Sequence, residues 1–367
     1  MKIKAAVLRE LNKPLTVEEL ELDDPKSNEV LVKIEAFGVC HSDYHVVTGL
    51  AKQELPVVLG HEGAGTVIEV GEKVTNVEVG QNVLLNWFPY CKQCPQCFAG
   101  NTNHCKTYME MLGKGKMLDG TTRLTDSNGR PVLQLSGLAC WSTHVVVPDI
   151  ICTKMPKGTP PEIAALIGCA VTTGVGAVLN QATVHEGSSV VVYGAGGVGL
   201  SIIMGCVLAG AEKIIAIDRS TAKEAIAISM GATDFLLSSE DTVENVKELT
   251  DGLGADYAFD AVGNTDIAQM LLPSLRERGL ALLVGVPPTD SRIQIDATDV
   301  FRQEKRLSGT IYGSVDTEVD FEKFAQMYLD GKLPINKLIS KHYKLEEINK
   351  ACKEMLDGSI ARGVVTF

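Results

Sequence analysis

At 367 residues, with 45% hydrophobic and 22% charged side chains, the chain exceeds one ordinary core and reads as a two-domain globular protein, not a disordered or fibrous one. Its net charge of −12 disfavours a nucleic-acid backbone or an anionic membrane as partner. No secretory leader is visible in MKIKAAVLRE, and the ten cysteines cluster, which suits metal binding or catalysis in the cytoplasm better than a disulfide scaffold.

The first part is strand-rich. IKAAVL, EVLVKIEAFGV, GAGTVIEVG and NVLLN are β-branched runs punctuated by Gly, Pro and Asn. From Trp87 to about Gly137 comes a loop region rich in Cys, Gly, Lys and Thr, too long to stay structureless unless something staples it. THVVV resumes strand character. After PPEIAALIG the rhythm alternates: VVVYG, LSIIMGCVLAGA, KIIAID, TAKEAIAISMG, DFLLS, VENVKELTDG, ADYAFDAVG, the helix-like IAQMLLPSLRERG, then LALLVGVPP. Such βαβ alternation predicts a doubly wound α/β sheet. FEKFAQMYLDG and LEEINKACKEMLDG are periodic helices ending at Gly, and ARGVVTF is a final strand. One domain built from both ends, with a doubly wound domain inserted, accounts for this order. The uncharged run Ser188–Ala211 is long enough to span a bilayer, but its six glycines, four of them in Gly194–Gly199, favour strand, turn and helix.

Cys91, Cys94, Cys97 and Cys105 follow a C-x2-C-x2-C-x7-C pattern. Four closely spaced thiolates suit tetrahedral zinc; the long last gap and the Pro after Cys94 weigh against an iron–sulfur cluster. A four-thiolate site is closed to substrate, so its expected work is structural, to staple the loop region from Trp87 to about Gly137. In the middle domain Gly194, Gly196, Gly197, Val198 and Gly199 form GAGGVG between a strand and an apolar helical run, and Asp218 ends the next strand nineteen residues after Gly199. Glycines there let a pyrophosphate approach a helix N-terminus, and the acidic residue suits a ribose 2′-hydroxyl. NAD is therefore expected over NADP, although Arg219 follows. A Rossmann sheet that binds no nucleotide is the bland alternative. Cys40, His61, Glu62 and Cys169 are each unremarkable alone, since buried cysteines and capping or core histidines are common. Their joint presence beside a nucleotide fold and a closed zinc site is not.

Taken together, GVCHSDYH, GHEGAGTV, the four-cysteine lobe, GCAVTTGVGAV, VVVYGAGGVGL with Asp218, VGVPP and ARGVVTF cover nearly the whole chain and resemble the zinc-dependent medium-chain alcohol dehydrogenases. The resemblance implies a GroES-like β-rich catalytic domain (residues 1–171 and 312–367) and a Rossmann coenzyme domain (residues 172–311). It implies two zinc ions per subunit and NAD(H). Cys40, His61 and Cys169 would hold the catalytic zinc, with Glu62 as an alternate ligand and Asp43 orienting His61. Ser42 and His45 would relay the alcohol proton outward. His41 and Arg362 would contact the cofactor pyrophosphate, Thr173 the nicotinamide and Lys223 the adenosine ribose. Val286, in VGVPP, would belong to a hinge and to the cofactor contacts.

The implied reaction is reversible oxidation of primary alcohols, aliphatic or aromatic, by hydride transfer from a zinc-bound alkoxide. The implied partners are a small-molecule substrate and further copies of the chain, as a homodimer or homotetramer. Thiol-linked formaldehyde dehydrogenases of the same family share HTD-like and GCxVTTG text with this chain. They usually carry Tyr at the position of His45 and an arginine where Met109 aligns, so a glutathione adduct is the second expectation. The third is a zinc-stapled NAD-binding protein without catalysis. A zinc-free quinone reductase is disfavoured by the intact ligand set.

Overall fold

The computed structural model describes residues 1–367. Two compact units emerge, one made of Met1–Cys169, Asp316–Gly331 and Ile339–Phe367, the other of Ala170–Val315 and Lys332–Leu338.

The first unit is organised by the strand Glu29–Val39, whose Val, Ile and Phe side chains are buried along nearly its whole length. It lies between Gly63–Val70 and Arg362–Thr366, both antiparallel to it, and also pairs with His144–Pro148. The sheet runs on through Asn82–Leu85 to Cys152–Lys154 on one side and through Ile339–Tyr343 on the other. A second sheet closes into a barrel from Lys2–Leu8, Thr16–Leu22, Leu124–Thr125, Pro131–Gln134 and Val57–Val58. Closure leaves that sheet no free edge to pair with other chains. The fully buried Trp141 stacks on Phe37 with ring centroids 6.2 Å apart.

This arrangement corrects one expectation. The four cysteines do not staple the whole of residues 87–137; they gather only residues 91–105. Farther along, residues 124–134 are held by barrel pairing. Arg123, buried, donates its Nε to Glu29 Oε2 at 2.9 Å and an Nη to Asp119 at 2.7 Å, which anchors the same stretch.

The second unit is a six-stranded parallel sheet in the order Asp234–Leu237, Lys213–Asp218, Ser189–Tyr193, Ala255–Asp260, Leu275–Leu283, Arg306–Gly309. In chain order this is 3-2-1-4-5-6, the doubly wound arrangement whose ligand crevice lies at the strand carboxyl ends where the order reverses. The run Ser188–Ala211 resolves into the strand Ser189–Tyr193 and the helix Gly197–Leu208. Twelve residues span about 18 Å, well short of a bilayer core. A longer apolar run, Pro161–Ala182, is mostly buried inside the protein, as expected of a core helix.

The helix expected over IAQMLLPSLRERG is shorter than the pattern suggests. It covers Thr265–Leu271, and the chain re-enters a strand at Leu275. Pro273 lacks an amide hydrogen and cannot extend the helix. Arg278, with φ of 63°, kinks the start of the new strand beside a register shift against Ala255–Tyr257.

Candidate metal centres and active site

Two groups of side chains are arranged to hold a metal ion. In the lobe, the sulfurs of Cys91, Cys94, Cys97 and Cys105 all lie within 4.8 Å of one another. Pro95 starts the short helix Pro95–Phe98, and Cys94 caps it, which turns the chain between the second and third ligands. Cys94 and Cys97 are 3.4 Å apart at sulfur, and the amide of Lys106 donates to Cys94 Sγ at 3.4 Å. Backbone N–H donors from Cys97 and Lys106 hold the Cys94 thiol down at about 6, so it is readily ionised for a metal. Four soft sulfur donors at this separation fit zinc.

The second group draws on separate segments. Cys40 precedes the helix His41–Thr48, His61 and Glu62 stand just before the strand Gly63–Val70, and Cys169 sits in a π-helical turn, Ile167–Val171. Such turns widen the helix and often mark functional sites. The ligand atoms of Cys40, His61, Glu62 and Cys169 lie within 4.8 Å of one another, and all four residues are buried.

Asp43, fully buried in the first turn of that helix, accepts from the Gly60 amide at 2.9 Å and lies 3.0 Å from His61 Nδ1. A carboxylate only accepts, so Nδ1 carries the proton and the Nε2 lone pair is left for a metal. Nε2 is 3.3 Å from Cys169 Sγ. Burial alone would lower the His61 pKa, but the charge and hydrogen bond of Asp43, with Cys40, hold it well above the ordinary value. The Cys40 thiol is drawn well down by Cys169, His61 and Arg362. Glu62 is pushed up to about 7 by burial, against the pull of Arg362.

Arg362, itself buried, forms an ion pair with Glu62 Oε2, while Asp43 Oδ2 and Glu62 Oε1 are buried without a hydrogen-bond partner. Orphaned carboxylate oxygens beside two thiols and an oriented imidazole mark a polar site built for a cation. Two cysteines and one histidine leave a coordination position free, as catalytic zinc requires. The residues fit the ion.

Ser42 Oγ lies 3.7 Å from Cys40 Sγ. His45 is half-buried and follows Ser42 by three residues, on the same helical face. His41, at the helix start, is exposed. The Trp87 indole meets His61 edge-on, with centroids 6.0 Å apart, and packs on Phe88 at 5.4 Å. Met109 is partly exposed on the lobe helix Lys106–Met109.

In the second unit, Gly194 takes φ of 96°, and a Cβ on Gly199 would strike the Gly194 carbonyl oxygen. Space beside Gly196 is open, with no atom within 4 Å of where its Cβ would stand. Gly197, Val198 and Gly199 open the helix Gly197–Leu208, so free backbone N–H groups face a space a pyrophosphate could fill. Asp218 ends the adjacent strand and accepts from the Ala195 amide at 2.8 Å and the Ser220 amide at 3.1 Å. Lys223 is buried nearby; desolvation lowers its pKa while Asp218 opposes the shift. Arg219 is exposed. Thr173 is half-buried on the helix Thr172–Gly176, and Val286 is exposed beyond the strand Leu275–Leu283. The loop glycines and Asp218 therefore come together at the strand carboxyl ends, where a dinucleotide fits.

The Glu62–Arg362 ion pair escaped the sequence reading, which gave the two residues separate roles. The available signal was Gly38, a glycine inside an otherwise bulky strand, which often marks a close approach.

Comparison with known proteins agrees with this geometry. Residues 26–157 match the family model described as alcohol dehydrogenase GroES-like domain, and residues 197–330 the one described as zinc-binding dehydrogenase. Over 100% of both chains, the protein is 38% identical to alcohol dehydrogenase class-3 of Cereibacter sphaeroides. It is 37% identical to S-(hydroxymethyl)glutathione dehydrogenase of Paracoccus denitrificans, again over 100% of both. Among solved structures, benzyl alcohol dehydrogenase of Acinetobacter calcoaceticus superposes with a TM-score of 0.92 at 30% identity, covering 100% of this chain and 99% of that one. An alcohol dehydrogenase zinc-binding domain protein of Burkholderia ambifaria superposes with a TM-score of 0.95 at 31% identity and the same coverage. Zinc and NAD(H) are the cofactors. With the two metal-fitting clusters and the dinucleotide fold, this full-length similarity establishes that the chain belongs to the zinc-dependent medium-chain alcohol dehydrogenases, NAD-dependent oxidoreductases acting on alcohol donors.

Proposed function

We propose that this enzyme interconverts primary alcohols, aliphatic or aromatic, and their aldehydes. The observation that carries the reading is the wall beside His61. It is the flat indole of Trp87 backed by Phe88, and the nearby guanidinium of Arg362 is taken by Glu62. A flat apolar wall without a free cation suits a neutral, planar or unbranched substrate.

Cys40, His61 and Cys169 hold the catalytic zinc in this reading, and Cys91, Cys94, Cys97 and Cys105 the structural one. Zinc, when bound, acts as a Lewis acid that makes loss of the alcohol proton accessible near neutral pH, and NAD accepts the hydride. Ser42, whose hydroxyl stands 3.7 Å from Cys40 Sγ, receives that proton, and His45, one helical turn farther, passes it outward. Asp43 fixes the His61 tautomer. His41 binds the pyrophosphate, Thr173 the nicotinamide, and Asp218 with Lys223 the adenosine ribose, whereas Arg362, expected at the pyrophosphate, is engaged by Glu62 instead. Residues 1–171 and 312–367 act as the catalytic domain, residues 172–311 bind NAD, and Val286 lies in the segment that flexes when the substrate is enclosed.

We further assign the enzyme to the cytoplasm, where its ten cysteines, all free thiols, would stay reduced. A homo-oligomer, dimer or tetramer, is supported by the edge strand Arg306–Gly309, which is paired on one side only and carries the exposed Leu307, and by Phe301, which is 81% exposed.

A second reading is favoured by the curated relatives named S-(hydroxymethyl)glutathione dehydrogenase at 37% and 38% identity. Steady-state rates with benzyl alcohol, a short primary alcohol, and formaldehyde with and without glutathione separate the two. Thiol-independent turnover of the alcohols is expected. Turnover only of the glutathione adduct would overturn the first reading in favour of the second.

A further inference from the structure

The buried cluster contains four potential ligands, yet only three leave a coordination position for substrate. Something must keep Glu62 off the metal. Glu62 stands at the start of one neighbour of the central strand Glu29–Val39, and Arg362 opens the neighbour on the other side. Adjacent strands are about 4.8 Å apart, so an ion pair joining the two outer strands must cross the face of the middle one. It crosses at Gly38. Gly38 donates its amide to the Glu62 carbonyl at 2.9 Å and is paired in register with Val364. A Cβ at residue 38 would overlap Glu62 Oε2 and stand 3.0 Å from Glu62 Cδ and 3.1 Å from an Arg362 Nη.

The φ of Gly38 is not in the left-handed region, so the turn-forming freedom of glycine is not what this position uses. What it uses is the missing side chain. The volume is occupied by the Glu62 carboxylate, and any other residue would evict it.

We propose that Gly38 and Arg362 are positioning residues that park Glu62 across the central strand, and so keep the fourth coordination position of the Cys40–His61–Cys169 centre free for substrate. The inference rests on the metal-ligand reading above. Refilling the seat, by Gly38→Ala, or cutting the tether, by Arg362→Met, releases a carboxylate that already lies within 4.8 Å of the other ligand atoms. Glu62 then becomes the fourth ligand, and the centre closes.

The test uses full-length enzyme with cobalt(II) substituted at the catalytic centre, reading the visible cobalt spectrum and titrating imidazole as an external ligand. The parent should bind imidazole with a spectral change. Gly38→Ala and Arg362→Met should each bind it at least about tenfold more weakly, with an altered starting spectrum. Adding Glu62→Gln to either should restore the parent affinity, because an amide is a poor ligand for the ion. Parent-like imidazole affinity in both single variants would overturn the proposal, as would a weakening that Glu62→Gln leaves in place. If Gly38→Ala does not fold, Arg362→Met decides alone. Cobalt that fails to enter the parent at Cys40, His61 and Cys169 would instead overturn the metal-ligand reading, and this inference with it.

Discussion

The two cysteine centres use the same element for opposite ends. In the lobe, all four sulfurs come from one stretch of fifteen residues, Cys91–Cys105, and each is donated to the same point. Around Cys40, the candidate ligand atoms come from three distant segments, and two of the four residues are held by a buried charged partner: His61 by Asp43 and Glu62 by Arg362. A local site can close itself, whereas an open one must be held open by the surrounding fold. In the proposed reading the lobe contributes stability, and the buried centre contributes chemistry that depends on the sheet.

Breaking that contrast should give its largest effect on turnover at the buried centre. Cys40→Ser should lower kcat by on the order of 10³-fold or more, the several kcal/mol that Lewis-acid stabilisation supplies, while far-ultraviolet circular dichroism stays that of the parent. Cys94→Ser should do the reverse. It should release one zinc by metal analysis and lower the unfolding midpoint by roughly 5–10 °C, a loss of about 3 kcal/mol, with a smaller effect on initial rates. If Cys94→Ser abolished turnover in the still-folded enzyme, the division of labour would fail.

Asp43→Asn sharpens the comparison, since the Cys94 and Cys105 sulfurs of the lobe are supported by backbone amides and not by a buried carboxylate. Metal affinity at the buried centre should fall about 10–100-fold, read by chelator competition, with the lobe zinc retained. His45→Gln should slow turnover only several-fold, and mainly at low pH, where bulk base is too scarce to replace the relay. An unchanged pH profile would remove His45 from the proton path.

The smallest effect lies outside both centres. Asp126, in the barrel hairpin, is held at about 2 by the amide of Arg130, then by Asn128 and Arg9, against the desolvation that would raise it. Because its folded value is depressed, its stabilisation is complete above the ordinary 3.8 and fades as pH falls toward about 2. Unfolding midpoints of Asp126→Asn and the parent should differ above the first value and converge at the second, with both zinc centres unaffected.

Sequence legibility follows the same division. The lobe could be read from spacing alone, because its ligands are neighbours in the chain. The parallel sheet could be read too, since β-branched runs and the glycine turn with Asp218 are local signals. Cys40, His61 and Cys169 are separated by up to 108 residues between consecutive ligands, and only their resemblance to a family joined them. The bridge over Gly38 was not legible, because it depends on which strands are neighbours and on a volume left empty. Pro273 was visible, yet the periodicity of the residues before it masked the helix end.

The most direct measurement is NAD-dependent oxidation of benzyl alcohol during zinc titration of chelator-stripped enzyme, in parent and in Cys40→Ser. Turnover in the parent should rise with occupancy of the buried centre and stay near background in the variant, although its lobe fills. Full turnover in Cys40→Ser, or in parent enzyme with only the lobe loaded, would contradict the assignment of the chemistry to Cys40, His61 and Cys169.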